Sequence, residues 1–269
     1  MTEAESSTTD HMKGLVPLID ADVLLYRCGF AADAQVKTDI REQSGGISDE
    51  ELQEILNETD YLNFALGNVK TVMEDFMYRF GVKDDSYKAF LTGSGNFREQ
   101  VATILPYKGN RDESHKPKYY GDIKRYLFDI WGAERVDGRE ADDALGCAQW
   151  ADKSRGTCIV TIDKDLDMVP GYHYNWVKKE FYDQSLEEAN RFIFYQMLTG
   201  DRTDNIPGIR GIGSKTVSKL LDGCDLDSCR TVVRDKYKEQ YEGEWERAYQ
   251  EVGNLLWIQR IEGKECPYL

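Results

Sequence analysis

The sequence lacks the features that mark several classes of protein. It contains three histidines, and its six cysteines include no Cys-x-x-Cys pair, so no zinc-ligand spacing is present. We expect reduced thiols, which are usual in the cytoplasm. No segment approaches the roughly 20 apolar residues of a membrane span. Residues 1–13 are polar without the apolar core of a secretory signal. We expect them to be a disordered tail on a cytoplasmic protein with no membrane partner.

Basic residues are also scarce, since 34 Lys and Arg face 49 Asp and Glu for a net charge of −15. The excess of acids is local. Residues 39–60 hold eight acids against one arginine, and the rest of the excess lies in the carboxylate clusters described below. Residues 108–125, in contrast, contain six Lys and Arg against three acids. A local basic patch matters more to phosphate binding than the overall charge, so a nucleic-acid partner is not excluded.

Apolar and aromatic residues, at 41% and 12% of the chain, predict a packed globule. Short apolar segments typical of strands alternate with segments of helical periodicity. We predict strands at 15–19, 87–91, 158–162 and 172–177, helices at 23–32, 61–80, 140–152 and 185–198, a Gly-rich turn at 92–95, and a protruding loop at 106–118. This order predicts an α/β fold with a mainly parallel central sheet flanked by helices, followed by a helical C-terminal part.

Four separated clusters of carboxylates follow or flank apolar segments, so the fold could bring them to one end of the sheet. Carboxylates at close range force one another to protonate unless a cation compensates them. Oxygen-only ligand sets suit Mg²⁺ or Mn²⁺, and two such ions roughly 4 Å apart are the usual device for cutting phosphodiesters. The pattern predicts a metal-dependent phosphoryl-transfer enzyme. The carboxylates are Asp20, Asp22, Glu140, Asp142, Asp143, Asp163, Asp165, Asp201 and Asp204.

A second motif, from Gly208 to Thr216, places Gly-x-Gly before an amphipathic helix. Glycines at the start of a helix let backbone N–H groups approach a phosphate. The pattern Ile-x-Gly-Ile-Gly-x-Lys-Thr is typical of a helix-hairpin-helix, which grips the DNA backbone without reading its sequence. We expect such contacts from Gly211, Gly213, Ser214, Lys215 and Thr216.

Five motifs, in order along the chain, resemble those of the 5′-nuclease superfamily of flap endonucleases and 5′→3′ exonucleases, most closely its bacteriophage members. They cover residues 18–222, about three-quarters of the chain. They are Leu18-Ile-Asp20, Tyr107-Lys-Gly-Asn-Arg111, Glu140-Ala-Asp-Asp143, Asp163-Lys-Asp165 and Gly200-Asp-Arg-Thr-Asp-Asn-Ile-Pro-Gly-Ile-Arg-Gly-Ile-Gly213.

The resemblance implies an activity and a substrate. It implies a Mg²⁺-dependent 5′→3′ exodeoxyribonuclease or flap endonuclease of phage-type DNA replication and repair, acting as a monomer in the cytoplasm of a bacterial host. The expected partner is DNA with a 5′ end, a flap or a junction. The clustered carboxylates would hold two Mg²⁺ ions, with Mn²⁺ as a substitute, and a K⁺ ion would bind at the hairpin.

The resemblance also implies roles and boundaries along the chain. Lys108 and Arg111 would act at the scissile phosphate, and Tyr107 and Lys116 would add DNA contacts. The expected parts are an α/β nuclease core (14–185), which includes a helical arch (93–131), and a helical DNA-binding subdomain (186–269), which includes a helix-hairpin-helix (205–222).

Thr92 is a departure from the family pattern, because members usually carry an acid in the turn after the second strand. Asp22 is the natural replacement as a metal ligand, since it follows Asp20 by two residues. The alternative is that Asp22 only caps the following helix.

Two other functions compete with a nuclease. Asp20-Ala-Asp22 with Thr92 and Asp201/Asp204 also resembles haloacid-dehalogenase phosphatases, in which Asp20 would be the covalent nucleophile. That resemblance leaves Glu140, the Tyr-Lys-Gly-Asn-Arg loop and the hairpin without a role. A non-catalytic DNA-binding protein would have no use for the carboxylates, which repel phosphate.

Overall fold

The computed structural model describes residues 11–83, 86–112 and 115–269. Most of the predicted disordered tail, residues 1–10, therefore lies outside the described residues. Met12, within the last part of that tail, is fully buried against the sheet and the first helices. The six cysteines are free thiols.

A six-stranded sheet forms the centre of the molecule, and the predicted α/β architecture is confirmed. The strands are β1 (Val16–Asp20), β2 (Lys88–Asn96), β3 (Glu134–Gly138), β4 (Thr157–Val160), β5 (Gly171–Asn175) and β6 (Glu180–Gln184). Their order is β3-β2-β1-β4-β5-β6, and only β6 is antiparallel to its neighbour. Because β1 and β4 are adjacent and parallel, their carboxyl ends meet at one edge, where open sheets place their ligands.

Helices cover both faces of the sheet. Those between the strands are α1 (Ala21–Ser44), α2 (Asp49–Glu58), α3 (Leu62–Phe80), α4 (Phe97–Val101), α5 (Tyr120–Asp129) and α6 (Ala141–Ala151). The C-terminal part contains α7 (Leu186–Thr199), α8 (Ser214–Leu220), α9 (Leu226–Tyr241) and α10 (Trp245–Leu256), with a two-stranded ladder of β7 (Gly200–Asp201) and β8 (Ile206–Pro207) after α7. One core joins α1, α2, α3 and α5 to the sheet, and the other joins α6 and the C-terminal helices to its opposite face.

Local sequence signals explain where several helices begin and end. A capping box of Ser48 and Glu51 opens α2, and a second box of Ser185 and Glu188 opens α7. Helix α3 ends at Gly81, which adopts the left-handed conformation that glycine tolerates best. Most of the acidic segment 39–60 lies in the exposed end of α1 and in α2.

The structure corrects several predicted boundaries. Helix α1 continues 12 residues beyond the predicted end at Ala32, because the polar sequence that follows contains no helix breaker until Gly45. The turn predicted at 92–95 is wrong, since β2 continues to Asn96 through an irregular pairing with β3. Strands β3 and β6 were missed because they are edge strands of largely polar sequence.

The predicted arch, residues 93–131, contains the end of β2, the short helix α4, a series of turns and helix α5 in its described part. The boundary at 186 falls next to Ser185, the N-cap of α7, although α7 packs into the same core as the sheet. The arch and the subdomain boundary stay predictions. No helix within the described ranges is long and apolar enough to cross a membrane.

Candidate metal centre

The carboxylate clusters meet at the carboxyl edge of the sheet, around an open cavity of about 1020 Å³. Asp20 ends β1, Asp163 follows β4, and Glu140 and Asp142 begin α6. The carboxylates that line the cavity are Asp20, Asp22, Glu140, Asp142 and Asp163, and the cations that line it are Arg27, Lys108, Arg111, Lys124 and Lys164. Segments that are far apart along the chain thus supply one surface.

Asp20 is the most enclosed of these acids, with 1% of its surface exposed. One carboxylate oxygen accepts a hydrogen bond from the Val23 backbone N–H (3.1 Å), which makes Asp20 the N-cap of α1. The other accepts from the Thr161 hydroxyl (2.7 Å). Burial, followed by the charge of Asp22, raises the pKa of Asp20 to about 7 despite these hydrogen bonds.

Asp142 and Glu140 share the first turn of α6 but differ in their neighbours. Burial, followed by the charges of Asp20 and Asp163, raises the pKa of Asp142 well above its usual range. Burial also acts on Glu140, but the nearby Lys108 and Arg98 outweigh it and lower its pKa. In the inner part of the cavity, burial and repulsion between carboxylates therefore outweigh the nearby cations, whereas Glu140 is paired with Lys108.

Asp163, Asp165 and Asp201 form a second group beside the first. Burial, then the charge of Asp163, raises the pKa of Asp165 to about 7. The Lys164 ammonium lies 2.5 Å from Asp165 and 3.8 Å from Asp201, so it partly compensates this group. Gln196, on α7, donates to Asp165 at 2.5 Å and links the C-terminal part to the site.

Asp143 lies apart from the cavity, although it was predicted to bind metal with its neighbours. Its side chain is fully buried, and Arg98 binds both of its oxygens (2.6 and 2.9 Å). The backbone N–H groups of Glu140 (3.2 Å) and Gln259 (3.0 Å) also donate to it. With both oxygens engaged and turned inward, Asp143 orients the start of α6 rather than facing an ion.

Arg98 was missed by the sequence analysis. It is 2% exposed, and besides Asp143 it donates to the carbonyl oxygens of Leu255 (2.9 Å) and Trp257 (2.7 Å). A buried guanidinium is tolerable only with such complete pairing. Its partners lie up to 159 residues away in the sequence, so no local pattern identifies them.

The basic loop carries Tyr107, Lys108 and Arg111 to the outer side of the site. Lys108 pairs with Glu140 and lies 3.7 Å from Asp204, and Arg111 lies 2.6 Å from Asp204. The Tyr107 hydroxyl donates toward Glu140 (2.9 Å) and Asp204 (2.7 Å). Burial and these acids raise the pKa of Tyr107, so it stays a neutral donor. The hydroxyl of Tyr107 thus faces Glu140 and Asp204.

Asp22 lies beside Thr92, which stands at the position where the family usually has an acid. The Thr92 backbone N–H donates to the Asp22 carboxylate at 3.0 Å. The Thr92 hydroxyl accepts from the Ala141 backbone N–H at 2.9 Å, which joins β2 to α6. Because Asp20 is the N-cap of α1, capping does not explain Asp22. The carboxylate of Asp22 therefore lies against Thr92 at the wall of the cavity, and its role as a metal ligand stays a prediction.

The glycines of the predicted hairpin differ in their surroundings. A Cβ on Gly208 would come within 2.3 Å of the Thr199 backbone, so this glycine serves packing. Gly211, with φ +79°, and Gly213 have open space around them. Ser214, Lys215 and Thr216 are exposed in the first turn of α8. The helix-hairpin-helix stays a prediction. Lys116 lies outside the carboxylate group, with its ammonium 5.1 Å from the ring centre of Tyr120.

The donor set fits a hard divalent cation. Within the described part of the chain, no three Asp, Glu, His or Cys side chains are already arranged to hold an ion. The cavity nevertheless presents oxygen donors with raised pKa values, and a cation would relieve that repulsion. Mg²⁺ keeps several waters and needs only one or two direct carboxylates, so it tolerates this spacing. The residues that could hold it are Asp20, Asp22, Glu140, Asp142, Asp163, Asp165, Asp201 and Asp204.

Replacing Asp142 with Asn should stabilise the metal-free protein. A raised pKa in the folded state means that stability falls as pH rises from the usual carboxyl range toward that raised pKa. Removing the charge should therefore increase the free energy of unfolding at pH 8 by on the order of 1 kcal/mol. Urea unfolding in a chelating buffer measures it.

Asp143→Asn is the matched control for this prediction. It should destabilise by about 3 to 5 kcal/mol, because it leaves Arg98 buried without a charged partner. A loss of stability in Asp142→Asn equal to that in Asp143→Asn would contradict the division into cavity-facing and buried acids.

Comparison with known proteins agrees with the sequence motifs, although no protein-family model matches the chain. DNA polymerase I of Caldicellulosiruptor bescii is 32% identical over 136 residues, 41% of this chain and 16% of the relative. Thermostable DNA polymerase I of Thermus aquaticus is 30% identical over 152 residues, 48% of this chain and 18% of the relative. The exodeoxyribonuclease of Enterobacteria phage T3 is 27% identical over 173 residues, 62% of this chain and 57% of the relative. The chain thus spans less than a fifth of the polymerases.

Solved structures show the same fold. The bacteriophage T5 flap endonuclease, solved with DNA and metal ions, superposes with a TM-score of 0.54 at 14% identity, covering 88% of this chain and 87% of that one. A mutant of the T5 5′-exonuclease gives a TM-score of 0.51 at 13% identity, covering 88% and 85%. The resemblance that the motifs indicated is confirmed as a similarity: the chain resembles parts of two DNA polymerases I and a phage exodeoxyribonuclease in sequence, and the T5 flap endonuclease in fold.

Proposed function

We propose that the protein is a metal-dependent, structure-specific 5′-nuclease that hydrolyses phosphodiesters near the 5′ end of DNA. The observation that carries the proposal is the meeting of four carboxylate clusters at one sheet edge, directly beside a basic loop. The arrangement provides donors for cations and positive charge for a phosphate in one cavity. Only a reaction that combines metal ions with a polyanionic substrate needs both.

The names of the relatives support DNA as the substrate. The phage T3 relative is an exodeoxyribonuclease, and the T5 structure is a flap endonuclease bound to DNA and metal ions. We infer 5′→3′ exonuclease or flap endonuclease activity, or both, for this chain, in phage-type DNA replication or repair, as a monomer in the cytoplasm of a bacterial host. The metal ions of the T5 structure support dependence on metal ions, which we infer to be Mg²⁺, with Mn²⁺ as a substitute.

The carboxylates would hold two ions in two groups. Asp20, Asp22, Glu140 and Asp142 form the group on the β1 and α6 side, and Asp165 and Asp201 form the other, with Asp163 between them. Divalent ions bound there would supply a water of lowered pKa as the nucleophile and would stabilise the leaving 3′ oxygen. Asp20 ends β1 and Asp163 follows the adjacent strand β4, so the sheet constrains the separation of the two groups.

Lys108 and Arg111 would contribute to the reaction through their charge. In the absence of substrate they pair with Glu140 and Asp204 at the mouth of the cavity. When the scissile phosphate enters, their positive charge is in position to stabilise the negative charge that develops on its oxygens. Both side chains are partly exposed, so they can turn from a carboxylate to a phosphate without disrupting the core.

The segment from Gly211 to Thr216 would hold the duplex. Its open glycines and the exposed first turn of α8 leave backbone N–H groups accessible to a phosphate. Lys215 adds positive charge beside them. Contacts of this kind fix the register of the duplex and are independent of base sequence. A K⁺ ion at the hairpin belongs to the same proposal.

The phosphatase alternative has less support. It requires Asp20 as a covalent nucleophile, but it gives no role to Glu140, Asp142, Asp163 or the basic loop, which line the same cavity. In a DNA-binding protein without catalytic activity, the clustered carboxylates would have no role, because they repel the phosphates of DNA. Locating Mn²⁺ in soaked crystals separates the three: a nuclease should show two ions, a phosphatase one and a simple binding protein none.

The central test is DNA cleavage with an Asp163→Asn variant. Wild-type protein should cut a 5′-labelled flap substrate only with Mg²⁺ or Mn²⁺. The variant should lose at least about 100-fold in turnover, because Asp163 lies between the two groups. Its DNA binding in a chelating buffer should be unchanged or stronger, since one repelling charge is gone. Asp183→Asn, on edge strand β6, is the control. Wild-type turnover in Asp163→Asn at saturating Mg²⁺ would contradict the proposal that two groups of carboxylates hold the metal ions.

The role of Asp22 gives a second prediction. Asp22→Ala should weaken Mn²⁺ binding, measured by calorimetry, by roughly 10- to 100-fold, because no other acid takes the position beside Thr92. Adding Thr92→Asp should restore part of the affinity, since it returns a carboxylate to the same place. If the metal titrations of Asp22→Ala and wild type coincide, Asp22 is not a ligand.

A third prediction concerns the hairpin. Lys215→Ala should weaken duplex binding whatever the base sequence, and should flatten the log–log dependence of affinity on salt by about one unit. Gly213→Val should also weaken binding without unfolding the protein, since φ at this position is −104° and the space is open. Lys178→Ala, in the turn between β5 and β6, is the control. An unchanged slope and affinity would leave the hairpin a purely structural element.

A further inference from the structure

The basic loop is held in place by the turn that carries Asp201 and Asp204. Two asparagines make the contact reciprocal: the Asn110 side chain donates to the Arg202 carbonyl oxygen at 2.6 Å, and the Asn205 side chain donates to the Pro106 carbonyl oxygen at 2.9 Å. Each asparagine thus anchors the other's segment. Both side chains bind backbone carbonyl oxygens rather than the carboxylates that we propose as metal ligands.

Backbone contacts continue the same junction. The Lys108 backbone N–H donates to the Asp204 carbonyl oxygen at 2.9 Å. Lys108 and Asn205 both adopt positive φ values, 55° and 59°. Residues other than glycine rarely adopt this backbone conformation, and it persists where the surrounding structure enforces it. The junction therefore fixes the backbone of Lys108, whose side chain we place at the scissile phosphate.

The other end of the turn connects rigidly to the hairpin. Gly200 pairs with Pro207 across the β7–β8 ladder. A Cβ on Gly200 would lie 2.3 Å from the Gly208 backbone nitrogen, so two backbones meet here in direct contact. The Ile209 N–H then donates to the Leu198 carbonyl oxygen at 2.8 Å. Only one residue separates this packed base from Gly211, where the proposed duplex contacts begin.

We propose that Asn110 and Asn205 form a positioning latch that fixes the distance between the bound duplex and the point of cleavage. The inference rests on the proposed nuclease function. The hairpin would hold the duplex at a fixed position, and the packed turn of residues 200–208 would hold the hairpin at a fixed distance from the basic loop. The two asparagines would then fix Lys108 and Arg111 relative to the bound duplex. They are positioning residues, since they act through Lys108 and Arg111 rather than on the phosphate.

The latch is weak enough to be tested without unfolding the protein. Both hydrogen bonds are exposed and neutral, so each contributes little to the free energy of folding. Their effect on geometry can be much larger, because a displacement of about 1 Å at a reacting group can cost on the order of 100-fold in rate. Loss of the latch should therefore affect turnover and accuracy far more than stability.

The experiment uses the full chain and a DNA duplex that carries a 5′ flap of fixed length, labelled to resolve single-nucleotide products. Asn110→Ala and Asn205→Ala should each lower kcat by about 10- to 100-fold with KM within about twofold, and should spread cleavage over neighbouring phosphates. The double variant should be little worse than either single variant, because both bonds serve one junction. Asn110→Gln, which keeps the donor, should recover part of the accuracy. Asn175→Ala, which removes only a turn contact to Lys178, is the matched control.

Other outcomes would overturn the latch. A single cleavage position with wild-type kcat in both alanine variants would show that the junction positions nothing. A raised KM with unchanged product lengths would make the asparagines direct DNA contacts instead. Absence of cleavage by the wild-type chain is a different result, because it contradicts the proposed nuclease function itself.

Discussion

Repulsion between buried carboxylates is the constraint on which the rest of this structure depends. The sheet edge forces acids from β1, β4 and α6 into one cavity, and burial and mutual charge raise the pKa of Asp20, Asp142 and Asp165. In a molecule of net charge −15, a few cations placed at this edge, among them Lys108 and Lys164, limit that cost. The repulsion explains where these two lysines lie. Lys108 lies between Glu140 and Asp204, and Lys164 lies between Asp165 and Asp201.

The same constraint divides the acids at the start of α6 by function. Asp142 lines the cavity and its pKa is raised, whereas Asp143 is turned inward onto Arg98. A buried ion pair of this kind adds little net stability compared with apolar packing, but removing one partner is costly. Its value here is orientation, because the pair holds the first turn of α6 and, with it, Glu140.

Local signals predicted much of this structure, and long-range pairing explains what they missed. Capping boxes at Ser48 and Ser185 are read directly from four residues. Strands β1 and β4 have the apolar sequence expected of strands buried on both faces. Because the carboxyl ends of parallel strands lie at the same edge of a sheet, the acids that follow these strands meet there. The edge strand β3 buries only Val136 and carries no such signal. The split between Asp142 and Asp143 depends on how α6 is rotated against the sheet, which adjacent acids in a sequence cannot reveal.

The partners of Arg98 have a consequence for the order in which the molecule is made. Its guanidinium and Asp143 are satisfied by the backbone of Leu255, Trp257 and Gln259. A nascent chain that ends before this segment contains every acid of the cavity but lacks the groups that complete the ion pair beneath it. The ion pair beneath the cavity is therefore complete only in a chain that includes residue 259.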